Sequence, residues 1–148
     1  MDFHRGARYT KNMVISDEQQ RRLEGMARKF NLAFLVLFGS QARGGEHAGS
    51  DVDIGYRAAD TKMLLSARQE QELAEEVSEV FGLEVDLRSL HSENPYFLFS
   101  VMKTARFLAG DHTAFARFQA YAFALRHDAR YDLDLIRESF RRKRLAAL

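Results

Sequence analysis

Apolar residues fall at helical spacing after Ser16-Asp17-Glu18-Gln19, where Leu23, Met26, Ala27 and Phe30 share one face. Ser16 followed three residues later by Gln19 has the spacing of a capping box, which satisfies backbone donors that a helix start leaves unpaired, so a helix is predicted over about 17–30. The run AFLVLF at 33–38 is all apolar, rich in strand formers, too short for a helix and closed by Gly39, and it reads as a buried strand. A helical turn is expected just after Gly39. In DVDIGYR, Asp51, Asp53 and Gly55 alternate with Val52, Ile54 and Tyr56; in LEVDLRSL, Leu83, Val85 and Leu87 alternate with Glu84, Asp86 and Arg88. Both segments predict half-buried strands. Between them, Leu64, Ala67, Leu73, Ala74, Val77, Val80 and Phe81 predict a helix over about 61–81 with Gly82 as its C-terminal cap. Residues 94–109 and 112–144 read as helical, and most of Phe97, Phe99, Phe107, Phe115, Phe118, Tyr121 and Phe123 are expected in the core.

This order implies an α/β (α+β) chain, a small mixed sheet flanked by helices with a helical C-terminal segment. With 148 residues, one proline and no repeat or low-complexity tract, a single domain over 1–148 is expected, its core at about 17–90 and a helical extension at about 94–148. The balance of 46% hydrophobic and 29% charged residues is that of a globular chain, and no apolar run approaches the roughly 18 residues of a membrane span. No signal-peptide stretch opens the sequence and it contains no cysteine, which excludes disulfides and thiolate metal sites and points to the cytoplasm. A net charge of +1 gives no overall attraction to nucleic acid, although RESFRRKRLAAL at the end is locally basic.

The chemistry gathers around LVLFGSQARGGEHAGSDVDIGYRA, residues 35–58. A strand that ends in Gly39-Ser40 before a helical turn offers backbone N–H groups and a helix dipole to a phosphate. Asp51 and Asp53 project from one strand face, and two carboxylates about 4 Å apart at an effective dielectric near 20 repel by roughly 4 kcal/mol. A hard divalent cation such as Mg²⁺, held by oxygen ligands and substrate phosphates, reverses that sign; two aspartates facing water on an edge strand are the plain alternative. Asp86, on a third strand with a matching apolar face, reaches the same point if the strands are neighbours. Three carboxylates, a phosphate-binding turn and two metal ions would make a phosphoryl or nucleotidyl transfer site.

Gly39-Ser40, ten residues, Asp51-Val52-Asp53, with Ala42-Arg43-Gly44 inside the loop and Val85-Asp86-Leu87 downstream, resembles the signature of the DNA polymerase β-type nucleotidyltransferase superfamily. Chain length and the run LFGSQARG most resemble the minimal nucleotidyltransferases, the MntA-type antitoxins paired with HEPN-domain toxins (HepT). The resemblance covers about 17–90 well, and the helical tail only in general pattern.

The resemblance implies roles for particular residues. Gly39 and Ser40 would hold the β- and γ-phosphates of ATP, and Arg43 would reach those phosphates or buttress the loop. Asp51 and Asp53 would ligate two Mg²⁺ ions, and Asp86 one of them, beside the attacking hydroxyl. It further implies transfer of AMP to a tyrosine of a HEPN ribonuclease toxin, which silences it, in a hetero-oligomer with that toxin and without direct nucleic-acid binding. Two alternatives stay open: transfer to a small molecule such as an aminoglycoside, and neutralisation of a toxin by contact alone. The basic C-terminal segment is either a docking surface or a core-packed helix whose Arg141, Arg142, Lys143 and Arg144 complement the helix terminus. Arg106 and His112 have the spacing of a HEPN ribonuclease motif, which arises easily by chance. His4, His47, His91 and His127 form no ligand cluster.

Overall fold

The computed structural model describes residues 14–39 and 52–147. The chain runs α1 (Asp17–Lys29), β1 (Leu32–Phe38), β2 (Val52–Ala58), α2 (Ala67–Phe81), β3 (Val85–Ser89), α3 (Pro95–Met102), β4 (Arg106–Gly110) and α4 (His112–Ala146). The four strands form one mixed sheet in the order β3-β2-β1-β4; β1 is antiparallel to β2 and β4, and β2 is parallel to β3.

Local chemistry sets the helix ends. Ser16 caps α1 and Ser66 caps α2, each in a complete capping box with Gln19 and Gln69, and Gly82 closes α2 in the left-handed region at φ 63°. The box at Ser66 corrects the expected start of α2 from about 61 to Ala67: Met63 and Leu64 continue the apolar pattern but stand exposed in the preceding turns.

The all-apolar run of β1 is explained by burial on both faces. Leu35 and Leu37 join Ile54, Tyr56, Leu73, Val77 and Leu23 beneath α1 and α2, whereas Phe34, Val36 and Phe38 join Leu90, Leu98, Met102, Phe115 and Phe118 beneath α3 and α4. The second cluster also corrects the expectation for β2, which is more than half-buried: a Cβ on Gly55 would lie 3.0 Å from Val36 Cγ2 and 3.1 Å from Leu90 Cδ1, so the strand needs a glycine where the second layer presses on it.

Residues 94–109 are not one helix. Asn94 caps α3, which ends at Met102, and Arg106–Gly110 forms β4 on the free edge of β1, where Leu35 pairs with Ala109 and Leu37 with Arg106. The aromatic expectation holds in part. Phe115 and Phe118 are buried and Phe97 and Phe107 pack against the cluster they belong to, but Tyr121 and Phe123 are 54% and 40% exposed. Beyond Leu125 α4 leaves the core and nearly all of its residues are exposed, which overturns the core-packed reading of its basic end. Among the described residues no helix is long and apolar enough to cross a membrane.

Candidate functional site

Strand register brings Asp53 and Asp86 together. The two are direct Cα partners across the parallel β2–β3 ladder, and neighbouring strands lie about 4.8 Å apart. Their side chains share a sheet face, since Val52, Ile54, Val85 and Leu87, which alternate with them, pack toward α1 and α2. Asp86 is partly exposed, with Arg88 two residues along the same strand donating from Nε to its Oδ2 at 3.2 Å.

The end of β1 closes on the same place. Phe38 pairs with Asp53, and Gly39 follows at φ 80°, where a Cβ would collide with the Asp53 carboxylate, whose Cγ lies 3.1 Å from that position. Glycine is required there twice over, by its backbone angle and by the carboxylate against it. Turn and acid are therefore built as one unit.

Three of the six anticipated site residues, Gly39, Asp53 and Asp86, are thus adjacent. Ser40, Arg43 and Asp51, together with His47 and the helical turn expected after Gly39, lie outside the described residues. Among the described residues no group of three His, Asp or Glu side chains gathers around a metal position. An all-oxygen donor set in a chain without cysteine suits a hard cation, and the apposition of Asp53 with Asp86 concentrates the negative charge such a cation offsets.

Arg88 was not anticipated. Its signal lay in the alternation that selected Asp86, because a cation two positions along a strand shares the carboxylate's face. Arg106 and His112 separate onto the start of β4 and the start of α4, and the His112 ring packs at 4.9 Å against Phe107. At the other end of β2, His91 Nε2 accepts from the Ala58 backbone N–H at 2.9 Å, and burial, reinforced by nearby Arg57, holds its pKa below the ordinary value. Burial likewise lowers the pKa of Arg57, which donates to the Leu90 carbonyl and stacks 4.5 Å over Phe118. The Tyr56 hydroxyl, pushed far up by burial, donates to Glu70. These groups fasten the sheet to its helices.

Comparison with known proteins agrees with this fold. The sequence matches no curated protein. One chain of the crystal structure of a toxin–antitoxin with AMP-PNP superposes with TM-score 0.63 at 24% identity, covering 82% of this chain and 97% of that one. An MntA–HpeT mutant in which two aspartates two positions apart are glutamate gives 0.62 at 22% identity, over 82% and 97%. A tri-AMPylated Shewanella oneidensis HEPN toxin in complex with MNT antitoxin gives 0.58 at 22% identity, over 83% and 96%. The model of the polymerase beta nucleotidyltransferase family matches residues 22–113, which contain the strand-end glycine and all three spaced aspartates. On that match, the chain belongs to the polymerase beta nucleotidyltransferase family.

Proposed function

We propose that this chain is a Mg²⁺-dependent protein adenylyltransferase, the antitoxin of a pair, which transfers AMP from ATP to a tyrosine of a HEPN-domain ribonuclease toxin and so neutralises it. The observation that carries the proposal is the apposition of Asp53 and Asp86 across β2–β3, with the Gly39 turn packed against Asp53. Support for nucleotide and acceptor comes from the similar solved structures, one a toxin–antitoxin with AMP-PNP and another holding a tri-AMPylated HEPN toxin.

Gly39 and Ser40 bind the β- and γ-phosphates of ATP, and Arg43 adds a guanidinium to the phosphates or the loop. Asp51, Asp53 and Asp86 would hold two Mg²⁺ ions, which would supply neutralisation of the charge on the triphosphate and of the charge that develops during transfer. Asp86 orients the acceptor hydroxyl and takes its proton. A bond forms between the tyrosine oxygen and the α-phosphorus, the bond from that phosphorus to the bridging oxygen breaks, and pyrophosphate leaves. Arg88, hydrogen-bonded to Asp86, holds that carboxylate in line.

The test is incubation with ATP, Mg²⁺ and a HEPN-domain protein from the same genome, followed by intact-mass measurement. Increments of AMP on the HEPN protein are expected, with the rate reduced at least about a hundredfold in Asp53→Asn. Toxin protection that persists in Asp53→Asn without added mass would sink the enzymatic reading in favour of neutralisation by contact; AMP appearing on an aminoglycoside would favour the small-molecule enzyme.

A further inference from the structure

The outer half of α4 is built to be covered. Taking 100° per residue, Phe115, Phe118, Ala122 and Leu125 lie on one stripe of the helix, packed into the second core. The stripe does not stop where the core stops. It continues through Ala129, Leu133, Ile136 and Phe140, with Leu133 41%, Ile136 51% and Phe140 68% exposed. An amphipathic face that persists beyond the domain has no partner within the described residues.

Charge beside the stripe selects among occupants. Arg126, Arg130, Arg137, Arg141 and Arg144 fall within an arc of about 60° along one flank. Of these only Arg137 has a carboxylate in reach among the described residues, Asp134 at 4.0 Å. Arg126 lies over Tyr96 at 4.6 Å and over Phe99 at 5.5 Å, and a cleft of about 370 Å³ opens there, lined by Tyr96, Arg126, Arg130, Leu133, Asp134 and Arg137. A second copy laid antiparallel would set the arginine flank against itself. Laid parallel, it would offer only Asp128 and Asp132 from its other flank, beside a further cation at Lys143. A nucleic-acid backbone would satisfy the arginines and leave Leu133, Ile136 and Phe140 in water.

We propose that residues 126–144 of α4 dock a different protein chain that presents an apolar helical face edged by Asp and Glu, one of whose carboxylates enters the Tyr96–Arg126–Arg130 cleft. The inference rests on the toxin-partner reading above and assigns that partner its surface. The site on β1–β3 then need not itself bind the acceptor protein tightly, because docking on α4 raises the local concentration of the acceptor tyrosine.

The experiment uses the full chain and a HEPN-domain protein from the same genome, with affinity measured by calorimetry, mass by light scattering and Mg-ATP binding on the same samples. Ile136→Asp/Phe140→Asp is expected to weaken the complex about a hundredfold, and Arg130→Glu/Arg137→Glu at least about tenfold, with Mg-ATP affinity unchanged in both. All four positions are exposed, so the charge-reversal pair keeps the test open if the apolar pair misfolds. Unaltered complex in both variants, while AMP transfer proceeds, overturns the docking surface and leaves the proposed function standing. A stable dimer of the chain alone that Ile136→Asp dissolves also overturns it. Absence of both complex and AMP transfer in the unmutated pair overturns the proposed function as well.

Discussion

Gly39 is where backbone conformation and the acidic pair meet. Replacing it with alanine places a methyl on the Asp53 carboxylate in a backbone region that costs an L-residue roughly 1–2 kcal/mol. Gly39→Ala is expected to keep the fold by circular dichroism and to lower Mg-ATP affinity at least about tenfold in calorimetry. His91 offers a different readout. Its folded-state pKa lies below the unfolded value near 6.5, so its contribution to stability is complete above that pH and is lost as pH falls through the lower folded value. His91→Gln, which keeps an acceptor for the Ala58 N–H and removes the titration, should flatten the fall in Tm between pH 7 and pH 5 relative to the unmutated chain. Asp53 and Asp86 were readable from sequence because strict alternation fixed their faces. The pairing of their strands was not, since β2 and β3 are joined through α2 and nothing local marks a parallel partner.

Among the elements, the marks at Ser16 and Gly82 were read, whereas the capping box at Ser66 was passed over and α2 was begun at about 61 instead of Ala67. Ser16, Ser66 and Gly82 mark helix ends through specific hydrogen bonds and one left-handed residue. β4 carries no such mark at its start: from Phe97 to Leu108 apolar residues recur at spacings a helix also allows, with neither glycine nor proline between Met102 and Arg106. Its identity as a strand comes from the bare edge of β1, a tertiary cause that periodicity does not record. At the other end Gly110 is a true stop, at φ 107°, where a Cβ would lie 2.7 Å from the Phe34 Cα. Gly82 makes the cleaner experiment, because a Cβ there meets nothing within 4 Å and only the backbone angle is penalised. Gly82→Ala should cost about 1–2 kcal/mol in urea unfolding with an unchanged slope.

The whole molecule is a sheet between two helical layers, with the candidate site at one end of the sheet and a helix of 35 residues, about 52 Å long, running out of one layer. The layers are unequal in anchorage. α1 and α2 are tied to each other by Lys29–Glu76 and Arg22–Glu79 and to the sheet by Gln20 Nε2 donating to Leu108 at 2.7 Å. α4 gives its inner third to the core and the rest to the surface, which sequence pattern alone does not reveal because the apolar stripe is the same on both stretches.

Among the described residues the sheet order leaves β3 on an outer edge, laddered on one side, with no fully buried residue of its own between Val85 and Ser89. One of the two apposed acids therefore rides on a strand that can peel away while β1 and β2 keep their packing, a partial opening far cheaper than global unfolding. Amide protons of 85–89 should exchange with deuterium orders of magnitude faster than those of 34–37, and saturating Mg-ATP should slow the former without touching the latter. Nucleotide would then be acting as a clasp on a loose margin, and enzyme competence would fade on warming before any melting transition is seen.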